Sequence, residues 1–250
     1  MGKQANAGPD GPGRRASDQG RFGPLRRERI LAVALDVVDR DGLSGLTMRK
    51  LGAELGVEAT ALYRYAPSKD ALLDGVVEEF YRELDHDLTP GPRPTPSPAQ
   101  DWRAELHRIA LAAYDVALRH PHVVPLMCAR LLATPLARRP PPILRSDEHV
   151  LALLHDAGLD NPSAVRIHRA FTAWLLGYLL VELRAMDDDP DETDPAFRLG
   201  LHRIPEREFP RLRATAITLA DRGGPVELEA GLDALLRGGP LPRTTRRMEH

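Results

Sequence analysis

Prolines stand where helices can begin in this chain, and between them apolar residues recur at three- and four-residue intervals along nearly its whole length. No run of alternating β-branched residues competes with that pattern, and no internal repeat is present. One fold class follows: all-α. A first helix is expected from Pro24 to about Arg40, with Ile30, Leu31, Ala34, Leu35, Val37 and Val38 on a wide apolar face and Gly42 ending it. Thr47 caps a second helix that runs through Leu55 and stops at Gly56. A third covers about Glu58 to Tyr65, and Ser68 caps a fourth that reaches about Asp87.

Thr89 to Pro98, TPGPRPTPSP, reads as a stiff linker. Ser97, Pro98 and Gln100 make the start of a fifth helix that continues to Arg119. Pro121 opens a sixth, ending near Ala133, and Pro142 a seventh, closed by Gly158. Asn161 is the expected cap of an eighth, with Pro162 in its first turn, running to about Met186. Its residues Phe171, Trp174, Leu175, Leu176, Tyr178, Leu179 and Leu180 make it apolar on more than one face. Residues 187–208 read as an acidic loop, and two last helices cover about 210–222 and 225–237.

A length of 250 residues and a hydrophobic fraction of 42% suit one or two globular domains. The division expected is a tail over 1–22, a head over 23–70, a larger body over 71–240 and a tail over 241–250. The first tail is polar, glycine-rich and expected to be disordered. It has no apolar signal core, and MGKQAN carries Asn6 where a myristoylation site wants a hydroxyl. No run of about 18 apolar residues is present, so no membrane partner is expected. The single cysteine, Cys128, has no internal disulfide partner, and a cytoplasmic location is the expectation. The net charge is -2, yet residues 1–70 hold 12 Lys/Arg against 9 Asp/Glu. A basic head on an acidic body is a modest pointer to a polyanion.

Three short helices, the last two joined at Gly56, describe a helix-turn-helix. Ala53 is the small residue expected where the two helices cross. Val57 and Leu62 should pack back on Leu51, Leu55 and the first helix, leaving Glu58, Ala59, Thr60, Ala61, Tyr63, Arg64 and Tyr65 free. Early residues of such a helix reach base edges in the major groove. Arg64 suits guanine, and Ala/Thr side chains suit thymine methyls. Lys69 lies in the first turn of the fourth helix, where the helix dipole disfavours a cation unless an anion is bound there.

The segment from Ile30 to Leu73 closely resembles the DNA-binding domain of the tetracycline-repressor (TetR) family. Gly42-Leu43-Ser44-Gly45-Leu46-Thr47, Met48-Arg49-Lys50-Leu51, Leu55-Gly56-Val57, Leu62-Tyr63-Arg64-Tyr65 and Ser68-Lys69-Asp70-Ala71-Leu72-Leu73 carry the likeness. Phe171–Glu182 and Glu229–Gly238 resemble the helices with which that branch forms a dimer. The resemblance implies a helix-turn-helix head, a helical ligand-binding and dimerisation body, and a regulator that leaves operator DNA when a small-molecule inducer binds. It implies base contacts for Arg49, Ala59, Thr60, Ala61 and Arg64, and phosphate contacts for Thr47, Tyr63, Tyr65 and Lys69. It implies a homodimer through the helices 163–186 and 225–237, hence a palindromic operator on double-stranded DNA. A pocket between the fifth and eighth helices is implied, with His107, Tyr114, Met127, Arg130, His155, Phe171, Trp174 and Tyr178 as lining candidates.

His120-Pro121-His122 differs from the family's drug–magnesium pattern, so no metal or cofactor is expected. No GxSxG, P-loop or HExxH motif is present, and Asp187–Glu192 lacks the glycine and glutamate of a calcium loop. An enzyme is therefore disfavoured. A helical small-molecule binder without DNA affinity is the other class, set against by the basic and aromatic residues of the head. The sequence does not separate a repressor from an activator, nor name the inducer.

Overall fold

The computed structural model describes residues 25–89, 102–183 and 191–237. Among these residues all regular structure is helical. The expectations for the tails, the linker, the cap at Ser97 and the acidic run at 187–190 lie outside them.

Helix α1 (Arg27–Gly45) buries its whole expected stripe, from Ile30 to Val38. Gly42 takes a left-handed φ of 71° and breaks the helix axis, but helical turns resume to Gly45. In α2 (Met48–Leu55) the Thr47 side chain accepts from the Lys50 amide at 3.1 Å, satisfying one orphan donor of the first turn. Gly56, at φ 67°, ends it, and the Val57 amide donates back to the Gly52 carbonyl. The small residue at the crossing is Gly52, not Ala53. Gly52 is buried, and a Cβ there would lie 2.7 Å from the Val57 carbonyl oxygen, whereas Ala53 faces solvent. The recognition helix α3 spans only Ala59–Leu62, and residues 63–65 continue as a turn. Leu46, Leu51, Leu55 and Leu62 close the head's core at 2% exposure or less.

Helix α4 (Lys69–Leu88) starts at the Ser68 cap, which accepts from the Ala71 amide at 3.0 Å. At 20 residues it is about 30 Å long. Its first half packs on α1, so closely at Gly75 that an added Cβ would meet Leu31 at 2.3 Å. Its second half enters the body. That body consists of α5 (Trp102–Arg119), α6 (Val123–Ala133), α7 (Pro141–Asp156), α8 (Asn161–Glu182), α9 (Pro195–Arg198), α10 (Pro210–Ala220) and α11 (Gly224–Arg237). Two expectations need correction here. Asp160, rather than Asn161, caps α8, because its carboxylate accepts from the Ser163 amide. The segment read as a loop contains α9, capped by Asp194, and a 3₁₀ turn at Leu201–Arg203.

Polar ties join head, α4 and body. The Arg27 guanidinium makes two hydrogen bonds, at 2.8 and 2.7 Å, to the buried carboxylate of Glu78. Arg130 of α6 reaches Asp70 at 2.7 Å and Asp74 at 3.2 Å in the first turns of α4. His120, also buried, sits between Asp39 of α1 (2.6 Å) and Glu83 of α4 (3.0 Å). Burial pushes the Asp39 carboxyl up despite that hydrogen bond, and its second oxygen has no partner among the described residues.

Candidate nucleic-acid interface and ligand cavity

The cap at Thr47, the Gly52–Gly56 crossing and the cap at Ser68 fix one outer surface on the head. Arg49, Thr60, Tyr63, Arg64 and Lys69 are exposed there, and Ala59 and Ala61 are half-buried beside them. Arg49 and Lys69 have no hydrogen-bond or ion-pair partner among the described residues. Two other groups of the same cluster are turned inward. The Lys50 ammonium lies 2.8 Å from Asp41, and it, followed by Arg40, holds that carboxyl below its ordinary range. The Tyr65 hydroxyl donates to the Leu25 carbonyl at 2.9 Å. Tyr65 therefore departs from the phosphate-facing position expected of it. Its ring instead carries Arg64, whose guanidinium carbon lies 5.3 Å from the ring centroid. Thr47 is exposed, and its hydroxyl already serves as the α2 cap. The arrangement is a shallow cationic ridge with small residues at its crest, suited to a groove with phosphates on either side.

In the body, α4, α5, α6, α7 and α8 line two adjoining chambers that share Tyr81, Leu84, Ile109, Ser146 and Val150. The outer one, about 370 Å³, opens past Asp85, Arg145, Glu148 and His149. The inner one, about 50 Å³, is walled by Phe80, Met127, Phe171 and Leu179, with Asp147, His168 and Thr172 as its polar groups. Asp147 accepts from His168 at 3.1 Å and from Arg139 at 3.2 Å. Arg139 also donates to the Leu131 and Thr134 carbonyls at the end of α6. Burial, reinforced by Asp147, pushes the Tyr81 hydroxyl well above its ordinary value.

Of the expected lining residues, Met127 and Phe171 meet in this cavity. Arg130 lines a separate hollow of about 60 Å³ against Asp74 and Val77. Tyr114, Trp174 and Tyr178 lie elsewhere, at the joint of α5, α8 and α11. Trp174 lies over Gly231, where an added Cβ would come within 3.2 Å of its ring, Tyr178 donates to the Gly224 carbonyl at 2.8 Å, and Tyr114 donates to Glu182 at 3.1 Å. Glu182 in turn accepts from the Gly223 and Gly224 amides and so caps α11. Burial, then Glu182, pushes Tyr178 up to about 12. His107 bonds Asp233 of α11 at 3.0 Å, and His155 is exposed near the end of α7. The cavity groups that sequence reasoning missed are Tyr81, Ser146, Asp147, His168 and Thr172. One signal was available: Asp147 falls on the same helical stripe as the buried Ile143, Val150 and Leu154.

Residues 30–76 match the family described as bacterial regulatory proteins, tetR family, and residues 95–238 match the tetracyclin repressor-like C-terminal domain. The chain belongs to the TetR family. It is a DNA-binding transcriptional regulator with an N-terminal helix-turn-helix and a C-terminal helical domain. The HTH-type transcriptional repressor DrrR1 of Streptomyces coeruleorubidus is 33% identical over 61% of this chain. That match spans 52% of DrrR1, about half its length. The tetracycline repressor protein class C of Escherichia coli is 28% identical over 86% of this chain and 90% of its own. A solved structure of a possible TetR family transcriptional regulator from Streptomyces coelicolor A3(2) is 26% identical. It superposes with a TM-score of 0.66 over 85% of this chain and 98% of that one. No helix among the described residues is long and apolar enough to cross a membrane. No group of three or more His, Cys, Asp or Glu among them is placed to hold a metal ion.

Proposed function

We propose that the chain acts as a homodimeric repressor on a palindromic operator and is released when a small molecule enters the cavity of the body. In this reading the head, residues 23–70, holds DNA, and the body, 71–240, holds the ligand and the partner copy. The observation that carries it is α4. One helix bears Lys69 at the DNA-facing end and Phe80, Tyr81 and Leu84 in the cavity wall, so a ligand that displaces it displaces the head. Arg49 and Arg64 read bases, with Thr60 and the alanines of α3 beside them, while Tyr63 and Lys69 hold phosphates. The dimer reading is supported by an apolar strip left open on α8: Ala170, Ala173, Leu180 and Val181 are exposed, and Gly177 faces open space. On α10 only Ala216 is buried, and Leu212, Ile217 and Leu219 are exposed.

Selection from a random duplex pool, followed by titration of the winner in a salt series, tests this. A two-fold symmetric winner whose affinity falls steeply with salt is expected. A single asymmetric half-site bound by monomer would defeat it. Leu180→Arg should give monomers by sedimentation. Leu176 is a poorer probe, because it also lines the cavity.

A further inference from the structure

The cavity's polar groups are an unusual set for a site with so apolar a wall. The Asp147 carboxylate is acceptor-only, offers about four lone-pair positions, and has two donors, His168 and Arg139. Arg139 lines neither chamber, and three of its five N–H groups are held by Asp147 and the carbonyls of Leu131 and Thr134. The hydroxyls of Tyr81, Ser146 and Thr172 line the same space, and none has a hydrogen-bond partner among the described residues. The inner chamber is narrow, about 50 Å³, and the outer one, at about 370 Å³, has the volume of a small-molecule site.

These features select against charge. A carboxylate or phosphate pushed to the inner end would face Asp147 with no free cation to meet it. An ammonium there would have to compete with Arg139 for an anion already paired. Either would lose its hydration without full compensation. A hydroxyl or N–H, by contrast, can donate to a lone-pair position that His168 and Arg139 leave open on Asp147, and a hydroxyl can also accept from Tyr81 or Thr172.

Resting on the reading of the cavity as the ligand site, we propose that its ligand is an uncharged compound with an apolar body. That body fills the outer chamber, and a hydroxyl or N–H of the compound enters the inner one to donate to Asp147. Asp147 is then the specificity-determining residue. Tyr81 lines both chambers, and its hydroxyl can donate to and accept from the same ligand group.

The test uses the full chain and three probes of one ring system, 2-naphthol, 2-methoxynaphthalene and 2-naphthoate, titrated by fluorescence. The naphthol should bind at least tenfold more tightly than the ether or the carboxylate. Asp147→Leu should erase that preference while leaving ether binding within about twofold. If Asp147→Leu does not fold, Asp147→Asn, which trades one acceptor oxygen for a donor, should cut the preference severalfold. Equal binding of naphthol and ether, or tightest binding of the carboxylate, overturns the proposal and leaves the cavity as a ligand site. Absence of binding by all three overturns both.

Discussion

Thr47 and Lys69 bracket the whole outer face of the head, whereas the cavity draws Phe80, Ile109, Met127, Asp147 and Phe171 from five different helices. The head keeps Arg49 and Lys69 without partners among the described residues and points them at solvent. The inner chamber pairs its charge, with Asp147 between Arg139 and His168. Solvent makes the difference. An exposed cation stays hydrated at little cost, while a charge walled in by Phe80, Met127 and Phe171 must find an opposite charge or a hydrogen bond. A site for a polyanion can therefore be assembled from one short stretch of chain. A site for a small molecule needs a tertiary enclosure.

The comparison breaks most visibly at α4, which belongs to both regions. Phe80 is 1% exposed and lines the inner chamber. Phe80→Ala should cost about 3–5 kcal/mol in chemical denaturation. Head and body should lose stability together; a head that melts at its original midpoint would show that α4 does not couple them. Gly52→Ala should come next, at about 1–3 kcal/mol, because the new methyl meets the Val57 and Ala59 backbone, which cannot swing aside. Ala53→Ser, one position on and exposed, should stay within about 0.5 kcal/mol by the same measurement.

Arg49→Ala and Arg64→Ala test the solvent-facing side. Each should weaken binding to the selected operator by roughly 1–3 kcal/mol, with a much smaller loss on random DNA and a thermal midpoint close to the parent's. Equal losses on both DNAs would assign these arginines to phosphates. The smallest effect concerns Asp41, held low chiefly by Lys50. Its folded-state proton affinity lies below the unfolded one, so its contribution to stability is present above the unfolded carboxyl pKa. That contribution is lost as pH falls through the folded value. An NMR titration should find the Asp41 carboxyl below the ordinary aspartate range, and Lys50→Met should bring it back up.

The head was legible because its determinants are local. Thr47 and Ser68 cap, Gly56 turns, and Leu51, Leu55 and Leu62 mark the inner face, all within reach of a spacing argument. One error was also local: Gly52 and Ala53 are both small, and spacing alone assigned the crossing to the wrong neighbour. Tyr65 looked like a surface aromatic because its partner, the Leu25 carbonyl, lies 40 residues away. The body was legible as helices and caps, with the cap of α8 misplaced by one residue because Asp160 and Asn161 are both competent.

The chain's sequence by itself determined the all-α class, the helix-turn-helix and the family, since each rests on helical periodicity, caps and short motifs that neighbouring residues specify. Tertiary structure alone decided which aromatic residues line the cavity and which brace helices. Trp174 and Phe171, one turn apart on α8, face Gly231 and the inner chamber respectively. A helix presents all its faces to sequence reading alike, and only the helices packed around it settle which face encloses space and which is filled.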